Sequence, residues 1–152
     1  MRRHCALWAG VVSAMLTGCA MLPSRNTSYV SAKITAPADA RMIADDAASY
    51  LTHPLPPART TLVLDPPQRV QGNVMTPTFE AALRSKGYAV TERNRHPSAK
   101  PKGVQLRYLV SPLDSGVLLR LQYEGVEAAR FYPRAASGAL TIGAPFTVRE
   151  AG

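Results

Sequence analysis

The chain has 152 residues, 46% hydrophobic and 18% charged, with a formal charge of +8 at pH 7 from 18 Lys and Arg against 10 Asp and Glu. That apolar fraction excludes an intrinsically disordered chain, and two cysteines exclude a disulfide scaffold. A basic balance favours acidic partners such as lipid head groups, lipopolysaccharide phosphates, nucleic acid or acidic proteins, but the charges are spread as on a generic soluble surface.

The N-terminus is organised as a targeting segment. Met1, Arg2, Arg3 and His4 form a positive start, and residues 5–16 form an apolar run too short to span a bilayer. Leu16, Thr17, Gly18 and Cys19 follow, and all four positions resemble the lipobox of bacterial lipoprotein precursors. The resemblance implies a diacylglyceryl group on the Cys19 thiol, cleavage between Gly18 and Cys19, and acylation of the new amine. The alternative is an ordinary secretory signal whose cleavage region contains a cysteine; the basic start, the apolar run and the four box residues together favour the lipobox. Cys5 would leave with the signal and Cys19 would carry lipid, so the mature chain would hold no disulfide. Two or three acyl chains would anchor it durably, where one would not. Ala20, rather than Asp, follows the cysteine, which resembles the outer-membrane class of such proteins.

The remainder divides into a tether and one domain. Residues 19–36 read as the lipidated cysteine with a flexible tether, rich in Ser, Thr, Asn and Pro. Residues 37–152 read as a single domain. Residues 37–52 predict a helix, with Pro37 and Asp39 in its first turn and Ala40, Ile43, Ala44, Ala47 and Leu51 on one apolar face. Asp45, Asp46 and Ser49 lie off that face. Residues 60–65 predict a central strand, buried on both faces through Leu62, Val63 and Leu64. A second helix starts near Thr76 as cap and Pro77 as first residue, buries Phe79, Ala82 and Leu83, and stops at Gly87. A short strand over 88–91 follows.

Residues 93–103 form a polar loop, the densest basic stretch in the chain. Arg93, Arg95, Lys100 and Lys102 make it either an anion-facing patch or a solvated surface loop. Residues 104–112 and 117–123 predict a hairpin across 113–116, with Leu106, Tyr108 and Val110 facing Leu119, Leu121 and Tyr123 on the inner side. Glu124 and Gly125 turn the chain into a strand over 126–133, on which Ala129 and Phe131 face one way. Leu119, Leu121 and Phe131 are expected in the core. Residues 138–142 suggest a further short strand, and 144–150 an extended edge. The order predicts an α+β fold: one mostly antiparallel sheet with two helices packed on one face.

No catalytic or metal constellation is legible. His4, His53 and His96 have no ligand spacing, and the chain lacks a Gly-x-Ser-x-Gly elbow, a phosphate loop and a dinucleotide glycine motif. A Ser/His/Asp triad is set by geometry and leaves no such signature. Asp65 reads as a strand terminator bonding the turn backbone. The expectation is a protein that is not an enzyme and carries no cofactor beyond covalent lipid on Cys19.

Four stretches resemble the TrbH family of conjugal transfer lipoproteins: Thr60-Thr61-Leu62-Val63-Leu64-Asp65-Pro66-Pro67; Tyr108-Leu109-Val110-Ser111-Pro112-Leu113-Asp114-Ser115-Gly116 with the strand to Gly125; Ala129-Arg130-Phe131-Tyr132; and Ala144-Pro145-Phe146-Thr147-Val148-Arg149-Glu150. The resemblance implies an envelope lipoprotein of the mating-pair-formation apparatus, a type IV secretion system. It would be a structural subunit at the outer-membrane end of the channel, in contact with the channel's core proteins, in more than one copy within the complex, and without direct contact to nucleic acid. Cys19 is the residue that carries over. The alternative is a free-standing envelope lipoprotein that binds lipopolysaccharide or anionic lipid through Arg93, Arg95, Lys100 and Lys102.

Overall fold

A computed structural model of the chain describes residues 28–31, 34, 36–67, 72–93 and 102–150. The alanine-rich helical period forms α1 (Pro37–Leu51), whose Ala40, Ile43, Ala44, Ala47 and Leu51 are all inaccessible to solvent. The second period forms α2 (Met75–Ser85), burying Phe79, Ala82 and Leu83. Its start differs from expectation. Asn73, not Thr76, accepts the orphan amides, with Oδ1 3.1 Å from the Met75 nitrogen and 3.3 Å from that of Thr76. The Thr76 hydroxyl is committed to the Asn73 amide at 2.7 Å and the Tyr108 hydroxyl at 2.6 Å. Gly87 ends the helix at φ +91°, letting the Tyr88 amide reach back to the Leu83 carbonyl at 3.2 Å.

The strands are β1 (Tyr29–Val30), β2 (Thr61–Leu64), β3 (Ala89–Glu92), β4 (Val104–Leu113), β5 (Gly116–Tyr123), β6 (Val126–Pro133) and β7 (Thr147–Glu150). They form one seven-stranded sheet in the order β3-β2-β4-β5-β6-β7, with β1 added beside β4. β2, α2 and β3 make a parallel crossover unit, and β2 is also parallel to the first half of β4. From β4 to β7 every successive pairing is antiparallel, and the β4–β5 and β5–β6 ladders, of seven and eight residue pairs, are longer than the parallel ones, so the sheet is mostly antiparallel. The β5–β6 turn places Glu124 and Gly125 at φ +45° and +73°, the two positive values that a tight two-residue hairpin requires.

Both helices pack on one face, as expected. Phe79 of α2 meets Tyr108 of β4 edge-on at 5.2 Å, and Tyr50 of α1 shares a 3.0 Å hydrogen bond with Tyr123 of β5. Register places Tyr108 opposite Leu121, and Leu121 opposite Ala128, so this face is continuous across β4, β5 and β6. Leu106, Tyr108, Val110, Leu119, Leu121, Ala128 and Tyr132 form its buried floor. Leu62, Val63 and Leu64 are buried on both sides of β2, as a central strand requires.

Three local expectations are corrected. Phe131 is only half-buried and pairs with Leu118 on the face away from the helices; Ala128 and Tyr132 take the inward positions on β6. The reason is the period of two: β6 enters from its turn one residue out of phase with the expected facing, which exchanges its two sides. The stretch 138–142 forms no strand and contributes one isolated bridge, Leu140 to Arg134. The segment read as tether joins the fold at its C-terminal part. β1 pairs in parallel with Leu109 and Val110, the Ser28 hydroxyl accepts the Tyr108 amide at 3.1 Å, and Ile34 is buried in the core.

Candidate functional site

The lipobox residues Leu16, Thr17 and Gly18 with Cys19, and Arg95 and Lys100 of the basic loop, lie outside the described residues. The other two basic-loop positions are not brought together. Arg93 prolongs β3, its amide bonding the Leu64 carbonyl at 2.8 Å and its guanidinium standing 3.5 Å from Asp65 at the C-terminal end of β2. Lys102 is exposed beside Gly103, which lies against the Thr61 carbonyl at the opposite end of β2. A four-residue strand separates them by roughly 10 Å. Asp65 follows the last residue of β2, as expected of a terminator, but its carboxylate bonds a side chain rather than the turn backbone. Its carboxylate faces Arg93, and its carbonyl accepts the Ser28 amide at 3.0 Å. Burial pushes the Asp65 carboxyl above its ordinary range, against the opposing pull of Arg93 and Arg107.

The densest polar cluster among the described residues is one that the sequence reading missed. It joins α1, β6 and the strap, residues 134–146, that connects β6 to β7. Arg130 donates to both oxygens of Asp46, at 2.7 and 2.8 Å, and Tyr132 donates to Asp46 at 2.7 Å. Arg130 also donates through Nε to the Ala144 carbonyl at 2.9 Å, and its guanidinium lies 5.0 Å from the centre of the Phe146 ring. Phe146 in turn stacks on Tyr50 at 4.1 Å. Burial, then the adjoining Asp46 carboxylate, pushes the Tyr132 hydroxyl far above its ordinary pKa, so it stays a donor. Two turns earlier on α1, buried Asp39 accepts the Leu140 amide at 3.1 Å and Arg134 at 3.3 Å. Asp39 was expected only to favour the helix start. Arg130 and Tyr132 are two residues apart on one strand and so share a face; that spacing is the sequence signal for the cluster.

An open pocket of about 280 Å³ lies over this clasp, lined by Asp46, Ser49, Tyr50, His53, Arg130 and Phe146. Of its polar groups, the Ser49 and Tyr50 hydroxyls, the Asp46 carboxylate and the Arg130 guanidinium are already committed. Ser49 donates to the Asp45 carbonyl at 2.7 Å, and Asp46 and Arg130 hold each other. A nucleophile needs a base within hydrogen-bond reach, and the Ser49 hydroxyl is directed elsewhere. No three His, Cys, Asp or Glu side chains among the described residues are placed to hold a metal ion. The clasp fastens chain to chain.

The sheet face away from the helices carries a second feature. Arg107, Gln122, Glu127 and Arg149 stand in one row across β4, β5, β6 and β7. Glu127 accepts Gln122 at 2.8 Å and Arg149 at 2.7 Å. The Gln122 bond, ahead of Arg149, holds the Glu127 carboxyl below its ordinary range despite burial. Arg120 stands one pleat along on β5, between Leu109 and Ala129.

No helix among the described residues is long and apolar enough to cross a membrane. No curated protein and no solved structure matches the chain. The family model described as conjugal transfer protein TrbH matches residues 23–151, which takes in the clasp, every strand and both helices. The chain therefore belongs to the TrbH family of conjugal transfer proteins.

Proposed function

We propose that this protein is an outer-membrane lipoprotein and a structural, non-catalytic subunit of a conjugative type IV secretion channel, anchored through Cys19 and attached to the channel's outer-membrane core proteins. The observation that carries this reading is the conjugal transfer family match, which runs over nearly all of the chain beyond the lipobox. The early start of the fold supports it. Eight residues separate Cys19 from Ser28, where the chain joins the sheet. That length spans about 30 Å at most even when fully extended, so a lipid on Cys19 would hold the sheet close to its bilayer. The polar clusters support a holding role as well, since their groups are spent on fastening elements together.

The edge strand through which such a subunit would add to a partner's sheet is β7, because β6 is covered on both sides by β5 and β7. The experiment is to solubilise donor envelopes in mild detergent and follow the protein with the outer-membrane core proteins of the channel. Co-migration, with loss of DNA transfer on deletion of the gene, is expected. Migration alone, with the channel complex and DNA transfer intact after deletion, overturns the reading.

A further inference from the structure

We propose that residues 142–150, the end of the strap together with β7, open from the sheet as one unit while the rest of the fold stays closed, and that the Asp46–Arg130 clasp is the latch that holds them. The proposal deepens the subunit reading by naming what controls the β7 edge, and it rests on that reading only for the use of the edge.

Burial sets the boundary of the unit. Leu140 is 5% exposed, and its amide is tied to Asp39 of α1. The Thr141 amide bonds the Pro133 carbonyl at 2.9 Å. From Thr141 to Glu150 no residue is buried. Ile142 and Val148 are 53% and 54% exposed, and all four residues of β7 are exposed. On β5, by contrast, Val117, Leu119, Leu121 and Tyr123 are buried. Opening the last segment therefore exposes little apolar surface, whereas opening β5 exposes the core.

What holds the segment is a short set of polar and ring contacts, and most of them pass through Arg130. Its Nε donates to the Ala144 carbonyl, and its guanidinium lies against the Phe146 ring. Phe146 also stacks on Tyr50. The remaining fastenings are the four-residue ladder between β6 and β7 and the Glu127–Arg149 ion pair, whose arginine side chain is 70% exposed. Arg130 is itself held by both oxygens of Asp46. So α1 fixes Arg130, and Arg130 fixes the piece of strap from which β7 runs. Gly143 adds a steric condition. A Cβ there would run into the Phe131 carbonyl and the Pro133 ring, so the strap lies flush on β6 only because that side chain is missing.

An edge strand is where a sheet meets other chains, and an edge that withdraws controls that meeting. Asp46 and Arg130 also line the open pocket beside Tyr50 and His53, so the latch is reached from solvent without touching β7.

The test is amide hydrogen exchange on the full chain in detergent, read by mass spectrometry. The protected amides of 142–150 are expected to exchange together, roughly a hundredfold faster or more than those of β5. Asn73→Ala loosens α2 and not the strap, so it should speed β5 about fivefold and leave 142–150 unchanged. Asp46→Asn should speed 142–150 about tenfold or more. Gly143→Ala touches no charge and should speed the amides of β7 as well as its own neighbours, with the far-ultraviolet circular dichroism unchanged. Equal rates in β5 and 142–150, or an equal rise in both with Asn73→Ala, overturn the unit, because the segment would then open only with the whole domain. Unchanged exchange of 142–150 in Asp46→Asn overturns the latch. A Gly143→Ala chain that speeds 142–146 and leaves β7 as it was overturns the single unit. Envelope co-migration is scored separately. A parent that co-migrates but opens 142–150 only with β5 overturns the unit and leaves the subunit reading standing. A parent that migrates alone but opens 142–150 separately overturns the subunit reading and leaves the unit.

Discussion

Asp46 on α1 and Arg130 on β6, 84 residues apart in sequence, meet through two hydrogen bonds of 2.7 and 2.8 Å, with side chains only 15% and 14% exposed. Removing one partner of a buried pair strands the other, and here Tyr132 loses its acceptor as well. Asp46→Ala is expected to cost about 2–3 kcal/mol, at the low end for buried pairs because water still reaches this one. Thermal unfolding followed by circular dichroism should show Tm lower by roughly 8–12 °C. A shift within the error of the measurement would mean that the clasp is only surface decoration.

Leu121→Ala and Phe131→Ala test the register of β6 against β5. Leu121 is fully buried beneath the helices, and its truncation should cost about 2–5 kcal/mol. Phe131 is half-buried on the other face and should cost about 1 kcal/mol. Urea unfolding of the two variants side by side measures the difference. Equal losses would put Phe131 inside after all.

Acid titration should show two opposed effects. Asp65 and Glu80 have carboxyls raised by burial, and Glu80 is raised further by a hydrogen bond with Glu92. In each case the folded state holds the proton more tightly, so stability rises as pH falls through the raised value towards the ordinary one. Glu127 has the opposite sign. Its stabilising contribution is complete above the ordinary value of 4.5 and is lost as pH falls through the depressed folded value. Tm measured from pH 7 to 3 should therefore hold or rise slightly and then drop, and Glu127→Gln should flatten the drop. An unchanged acid limb in that variant would remove Glu127 as its source.

Cys19→Ser tests the anchor. The variant should take up no labelled palmitate, retain its signal segment, and leave the membrane fraction wherever it is exported. Export with normal membrane retention and normal DNA transfer would show that Cys19 carries no required lipid.

Asn73→Ala tests the cap of α2. Two backbone amides and the Thr76 hydroxyl lose their partner, so about 1 kcal/mol or slightly more should disappear. Thr76→Val should also cost stability, through the lost hydrogen bonds to Tyr108 and to the capping Asn73 amide. A double-mutant cycle on Thr76→Val and Tyr108→Phe should return a coupling energy distinct from zero.

Local pattern was enough for what local physics decides. The period of α1 placed Ala40, Ile43, Ala44, Ala47 and Leu51 on one buried stripe, and the alternation of β4 and β5 placed Leu106, Tyr108, Leu119 and Leu121 inward. The apolar triplet Leu62-Val63-Leu64 announced a strand covered on both sides, and Glu124-Gly125 announced its turn. These features depend on neighbours within a few residues, which the sequence displays directly.

Tertiary structure decided the rest, because it depends on groups that meet only after folding. Residues 126–132 run Val-Glu-Ala-Ala-Arg-Phe-Tyr, without clean alternation, so either face was open to Phe131. The register set at the β5–β6 turn puts Arg130 and Tyr132 on the helix side, where one Asp46 carboxylate meets both, and so turns Phe131 outward. Asp39 became a buried acceptor because the strap carried the Leu140 amide and Arg134 back to it. Tyr29 and Val30 are too short a run to read as a strand, and the backbone bonds that make them one come from β4, about 80 residues along the chain. The chain order shows which residues can hydrogen-bond or be buried; only the assembled sheet determines which partners satisfy them.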